Sequence, residues 1–169
     1  PPPQAEDAPP PQAEDAEAPS RSTDSALKAP PMPTYESSER SQHFIVAKSL
    51  LKEGDFETAL STLEEGIQET IAALGGDGEP YTFHESLAPF HYLYGTTLLY
   101  SIEESTDGAQ QMTVGDEDNV DDMQIAWENL DTARTIFEHM IAEKPSDKLK
   151  VDLAQVLLRE GDLQRQNGN

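Results

Sequence analysis

From residue 38 onward the apolar positions recur at three- and four-residue intervals, the period of a helix buried on one side. Ser38 offers a capping hydroxyl for a first helix to about Glu53, with Ala47, Leu50 and Leu51 on its inner side. Gly54-Asp55 then breaks the pattern. A second helix carries Phe56, Ala59, Leu60, Leu63, Ile67 and Ile71 in register. Gly75-Gly76-Asp77-Gly78, followed by Pro80, predicts a loop. The spacing predicts a third helix over 84–102, with Leu87, His91, Tyr94, Gly95, Leu98 and Ile102 on one side. Pro89 falls in its first turn, where a missing N–H breaks no hydrogen bond. Between Glu103 and Asp122 the periodicity stops and apolar residues become scarce, which predicts a polar loop of about 20 residues. A loop of that length inside a compact domain is uncommon and is usually functional or disordered. A fourth helix follows over 121–143, with Ala126, Leu130, Ala133, Phe137 and Ile141 in register, Trp127 beside them, and Pro145 to end it. A fifth helix over 146–160 carries Leu149, Leu153, Ala154, Val156 and Leu157 and is expected to stop at Gly161-Asp162. No segment alternates with period two, so the expected fold class is all-α with no sheet.

The first 37 residues differ in kind. Pro1 to Ala8 is repeated without change from Pro9 to Ala16, a period too short for a stacked structural unit. Three consecutive prolines in each copy disfavour helix and sheet. Further prolines at 19, 30, 31 and 33, with few large apolar groups, make 1–37 an expected disordered acidic tail and 38–169 the folded domain.

Charge adds position to this picture. The 169-residue chain has 33 acids and 11 bases, a net charge of −22. The stretch 102–122 holds 8 of the acids and no base, and is the densest block of charge in the chain. Such a field repels nucleic acid and anionic lipid and attracts basic proteins, though acidity also serves plain solubility. The absence of cysteine removes thiolate catalysis, disulfides and zinc–thiolate sites. No apolar run approaches the roughly 18 residues of a membrane span.

The helices also repeat. Ala47, Leu50, Gly54, Phe56, Ala59, Leu63 and Gly66 have the spacing of a tetratricopeptide repeat (TPR), in which small residues lie where paired helices touch. Tyr94-Gly95 and Leu98 occupy the equivalent first-helix positions of a second repeat, and Ala126, Leu130 and Ala133 its second helix. Leu153-Ala154, Leu157 and Gly161 match the first helix of a third. The expected architecture is thus a TPR-like α-solenoid of antiparallel hairpins. Repeat 1 covers about 40–73. Repeat 2 covers 88–101 and 121–140, interrupted by an acidic loop at 102–120. A partial repeat 3 covers 147–169. Such arrays need a cap over their last apolar face, so the chain is expected to be a piece of a longer protein.

Sites for small-molecule chemistry are not legible. His84-Glu85 opens like a zinc-protease helix, but Ala88 stands where the second histidine would be. The acidic run from Asp116 to Asp122 resembles a calcium loop, but it has Asp121 at the position that requires glycine and Trp127 at the closing glutamate. Gly75 to Gly78 lacks the lysine and serine of a phosphate loop. His91 reads as a packing residue, as do Tyr92, Tyr94, Tyr100 and Trp127. No cofactor, no metal and no enzymatic activity are expected.

One combination is specific. Glu85 to Leu99, containing Tyr94-Gly95-Thr96-Thr97-Leu98-Leu99, is followed by the acidic interruption and then by Ala126-Trp127-Glu128-Asn129-Leu130-Asp131-Thr132-Ala133-Arg134. In this order these elements resemble the interrupted TPR of the NASP-type (SHNi-TPR) histone chaperones, over about residues 38–165. The resemblance implies a nuclear protein, compatible with shuttling to the cytoplasm, that binds histone H3 or the H3–H4 pair, in some relatives the centromeric H3 variant, in histone transport and nucleosome assembly. It implies no direct contact with nucleic acid or membrane, and a homodimer is compatible with it. Carried over by position, the histone-binding acids are Glu103, Glu104, Asp107, Asp116, Glu117, Asp118, Asp121 and Asp122, and the groove residues are Phe44, Lys48, Tyr92 and Thr96. The insertion here is short for the family, being broken by Gln110 to Val114. The alternative is a TPR adaptor for another basic protein or peptide. A clamp for acidic tails is disfavoured, because those groove positions offer one cation and no asparagine.

Overall fold

A computed structural model of the chain describes residues 30–76, 79–108 and 117–168. Among these residues there are helices and turns and no strand. The elements are α1 (Tyr35–Glu39), α2 (Gln42–Glu53), α3 (Phe56–Leu74), α4 (Glu79–Thr82), a 3₁₀ turn (Glu85–Leu87), α5 (Ala88–Gly108), α6 (Glu117–Glu143) and α7 (Asp147–Asn167).

Local chemistry sets most of the boundaries. The Ser41 hydroxyl accepts from the Phe44 N–H at 3.2 Å and starts α2. Gly54 ends α2 in the left-handed region, at φ 79°, which a side chain would strain. The Asp55 carboxylate then accepts from the Thr58 N–H at 3.2 Å and starts α3. A link this short folds α3 back along α2. Pro145 lies between α6 and α7, and Ser146 caps α7 through the Leu149 N–H at 3.2 Å.

Three boundaries differ from the sequence expectation. The first is the start of the domain. Thr34 and Ser37 form a reciprocal capping box that nucleates α1, so Ser38 lies inside a short helix and is buried rather than capping a long one. Tyr35 is buried as well and packs edge-on against Phe137, with ring centroids 5.9 Å apart. Its hydroxyl donates to Asp152 and Glu39, while Lys148 lies over its ring and bonds Glu39 at 2.9 Å and Asp152 at 3.1 Å. The compact unit therefore begins at Pro31, not at residue 38, and the tail expected over 1–37 loses its last residues to it. Residues 1–29 lie outside the described residues.

The second is the acidic segment. Residues 102–108 continue α5 and 117–120 open α6, so the loop expected over 102–120 is largely helix, and only 109–116 lie outside the described residues. Ile102 is still buried, and the Ser105 hydroxyl bonds the Ser101 carbonyl at 2.8 Å. The loss of periodicity therefore did not mark a loop over these residues. Acids in the first turn of α6 also favour its positive N-terminal end.

The third is Gly161. It lies inside a continuous α7. A glycine in a helix interior costs only about 1 kcal/mol. Arg159 and Arg165 both bond Asp162, at 2.9 and 3.1 Å, and Leu163 is buried, so both sides of the glycine are held in helix. The turn of a third repeat is absent at this position.

Each long helix packs on the next in the order α2, α3, α5, α6 and α7, and α5 also touches α2 and α7. The smaller apolar cluster joins Phe44, Ala47, Leu63, Phe90 and Leu93. The larger one is built around Leu99, Leu130, Ile136, Phe137 and Val156. Glycines allow the closest approaches. A Cβ on Gly66 would lie 2.5 Å from the Phe90 ring, and one on Gly95 would lie 2.7 Å from Leu130 Cγ and 2.9 Å from the Ala126 carbonyl oxygen.

One charge is buried in this packing. Glu160 is 5 % exposed, with Arg134 at 3.5 Å and its Oε1 unpaired among the described residues. Burial raises its pKa, with Arg134 opposing and Asp131 and Glu138 adding to the rise.

Two outcomes follow from this packing. Gly95→Ala should destabilise the fold by about 1–2 kcal/mol in a denaturant titration, since overpacking outweighs the gain in helix propensity. Glu160→Met should stabilise it by about 1 kcal/mol at neutral pH, because Arg134 keeps Asp131 as a partner. The native state holds the Glu160 proton to higher pH than the unfolded chain does. Its stabilising contribution is therefore full below the ordinary value of 4.5 and lost as pH rises through the raised value. The advantage of the Met variant should shrink as thermal melts are taken into acid.

Candidate functional site

No lysine or arginine occurs between Lys52 and Arg134. Helices α3 and α5 thus carry no cation, and the single one in α6, Arg134, is turned to Asp131 and Glu160. Exposed carboxylates on these helices meet no lysine or arginine of their own element. On α3 they include Glu57, Glu64, Glu65 and Glu69, with His43 of α2 at 3.8 Å from Glu65 and 3.4 Å from Glu69.

Three helices converge at Tyr94. Its hydroxyl, on α5, donates to Glu64 of α3 at 2.8 Å. Burial raises the pKa of the phenol, the Glu64 bond and charge add to this, and Asp122 of α6 contributes through its charge. Tyr94 is therefore a donor fixed on Glu64 of α3, within the field of the Asp122 charge of α6. The sequence reading missed Glu64, because Glu64-Glu65 looks like any solvated helix face; its spacing of 30 residues from Tyr94 carries no local signal.

The expected acids fall on two helices. Glu103 and Glu104 lie on α5, Glu103 accepting from Gln166 of α7 at 2.9 Å and Glu104 exposed. Asp107 is in the last turns of α5, and Glu117 and Asp118 are in the first turn of α6. On α6, Asp121 is exposed and Asp122 half-buried. Asp116 lies outside the described residues. The other seven acids sit on the adjoining ends of α5 and α6 rather than along a loop.

The expected groove is mostly filled. Phe44 is buried edge-on against Phe90, with centroids 6.1 Å apart. Thr96 is buried too, its hydroxyl donating to the Tyr92 carbonyl at 2.8 Å. Neither can line an open groove, because both point into helix–helix contacts. Tyr92 is half-buried and hydrogen-bonded to Arg159, whose guanidinium lies 5.1 Å from the Tyr100 ring centroid, so α7 covers this face of α5. Lys48 remains exposed, 5.7 Å over the Phe44 ring.

His91 packs in the α5–α6 hairpin. Asn129 donates through Nδ2 to the Ile125 carbonyl at 2.9 Å, which leaves its Oδ1 to accept from His91 Nδ1 at 2.8 Å. Burial lowers the imidazole pKa, and the Asn129 bond opposes that shift. Among the described residues no helix is long and apolar enough to cross a membrane. The surface as a whole can offer many carboxylate acceptors to lysine and arginine side chains, each through charge-assisted hydrogen bonds.

Comparison of the chain with protein-family models, with curated proteins and with solved structures gives no match.

Proton NMR titration should find the His91 imidazole below its ordinary value of 6.5. Asn129→Leu should lower it further, since the only contribution that favours the protonated ring is removed. A rise on that substitution would contradict the arrangement.

Proposed function

We propose that this chain is a histone chaperone of the interrupted-TPR type, binding H3 or the H3–H4 pair as cargo in nuclear histone transport and nucleosome assembly. The observation that carries the reading is the acidic surface of α3, α5 and α6, whose single lysine or arginine is turned to Asp131 and Glu160, with Glu64 of α3 bonded to Tyr94 and Asp122 of α6 acting on it through its charge. Two further features support it. The Tyr94-Gly95 and Ala126-Trp127 signatures flank the acidic segment in the order the family shows, and the packing order of α2, α3, α5, α6 and α7 suits stacked TPR hairpins.

The mechanism requires no covalent step. Histones are strongly basic, and free in solution they bind DNA without selectivity. Carboxylates held on rigid helices screen that charge at fixed positions, which a flexible acidic tail cannot do with orientation. Glu103, Glu104, Asp121 and Asp122 then act from the helix ends of the hairpin and Glu64 from its flank. The binding surface is the outside of the hairpin, since Phe44 and Thr96 are occupied in the interior.

Binding of purified H3–H4 measured in a salt series tests this. Affinity should fall at least about tenfold between about 0.1 and 0.5 M salt, as expected for exposed ion pairs. Neutralising Glu103, Glu104, Asp121 and Asp122 to Gln or Asn should weaken it by about ten- to hundredfold, each exposed pair contributing up to about 1 kcal/mol. Equal affinity for polylysine of matched charge would replace the chaperone reading with that of an adaptor for basic chains. Salt-independent binding would remove the electrostatic surface from the mechanism.

A further inference from the structure

On the outer face of α7 large apolar groups stand in solvent, with Leu157 of the same helix also 47 % exposed. Val151 is 56 % exposed and Leu158 67 %. The face forms a single stripe, Asp147, Val151, Ala154, Leu158, Gly161 and Arg165, spaced four, three, four, three and four residues apart. That is the spacing of the seam between two paired helices. All six residues are exposed, and nothing lies within 4 Å of where a Gly161 Cβ would be.

The order of residues along the stripe is informative about its occupant. Read backwards, the spacing is unchanged. If a second α7 lies antiparallel across the stripe about a two-fold axis, Asp147 faces Arg165, Val151 faces Gly161, and Ala154 faces Leu158, and each pairing occurs twice. Acid meets base at both ends, and a large side chain meets a small one at each inner level. A surface contacting an unrelated partner has no reason to be complementary to its own reverse, whereas an isologous interface requires it.

Charge selects the same partner. The helix sets Lys148, Lys150, Arg159 and Arg165 against Asp147, Asp152, Glu160 and Asp162, so α7 is balanced in a chain of net charge −22. A strongly basic ligand is drawn to the cation-free helices instead. A second copy of the chain is repelled least where the net field vanishes. We infer that the outer face of α7 is a two-fold self-association surface on which two copies pair their α7 helices antiparallel. The contact is one helix wide, at the small end of specific interfaces, so the dimer dissociates in the micromolar range.

Sedimentation equilibrium of the 169-residue chain over a wide concentration range tests the inference. A monomer–dimer equilibrium is expected, weakened at least about tenfold by Leu158→Glu. Asp147→Arg alone and Arg165→Asp alone each place like charges across both ends of the interface and should weaken the dimer. Asp147→Arg combined with Arg165→Asp restores opposite pairing only if residue 147 faces residue 165 of the other copy, and should recover the dimer to within about threefold of the parent. Both changes oppose the helix dipole, so recovery in the double variant cannot come from a more stable α7. Circular dichroism confirms that each variant keeps its helix. A chain that stays monomeric up to about 500 µM overturns the proposal. So does a dimer indifferent to Leu158→Glu, or a double variant no better than the weaker single one.

Discussion

The fold depends on how closely α5 and α6 approach. At Gly95 the two helices leave no room for a methyl group, with Leu130 and the Ala126 carbonyl directly against the glycine backbone. That contact makes the α5–α6 pair the spine of the molecule. Helix α3 docks on one side, where Gly66 lets Phe90 of α5 sit against its backbone, and α7 docks on the other, where Val156 and Leu163 enter the larger core. A wider spacing at Gly95 would move α6 away from α5. How strongly the Asp122 charge acts on the Tyr94 hydroxyl depends on that distance.

Cations are scarce in this chain, and several of those that are described have internal duties. Lys148 ties α1 to α7 through Glu39 and Asp152. Burial disfavours the charge of its ammonium, yet the bonds to Glu39 and Asp152 outweigh this and raise its pKa. Arg134 answers the buried Glu160, and Arg159 stacks on Tyr100 while bonding Asp162. Bases used in this way cannot neutralise the exposed acids of α3, α5 and α6. The negative surface and the internal latches are therefore two consequences of one composition: few bases, four of them on the last helix and none between Lys52 and Arg134.

Much of the helical pattern was legible from residue spacing. Ala59, Leu63, Leu130, Ala133 and Phe137 are all buried where the three- and four-residue period put them. The reading failed where a local signal had two meanings. Loss of apolar periodicity after Ile102 could signal loop or solvent-facing helix, and it was helix. Gly161-Asp162 could signal a turn or a tolerated helical glycine, and it was the latter. Pro30 to Pro33 pointed to disorder, yet Thr34 and Ser37 begin a helix immediately afterwards, because a capping box needs only four residues. The negative sign of the surface was legible from the charges alone. Glu64 was not, and Phe44 and Thr96 were assigned to a groove that their own burial closes.

What the sequence by itself determined is local: the helical period, the break at Gly54-Asp55, the end of the fourth predicted helix before Pro145, and the run without lysine or arginine from Glu53 to Ala133. Each depends on residues within a few positions of one another, or on composition alone. What only the tertiary structure decided is which of these residues meet. Tyr35 reaches Asp152 across 117 residues, and Tyr94 reaches Glu64 across 30. Such pairings follow from the stacking of whole helices, which is set by the summed packing of their faces at Gly66 and Gly95 rather than by any short motif. The reason is range: capping and periodicity act over one or two turns, whereas burial and charge pairing depend on what the rest of the chain brings within a few ångströms.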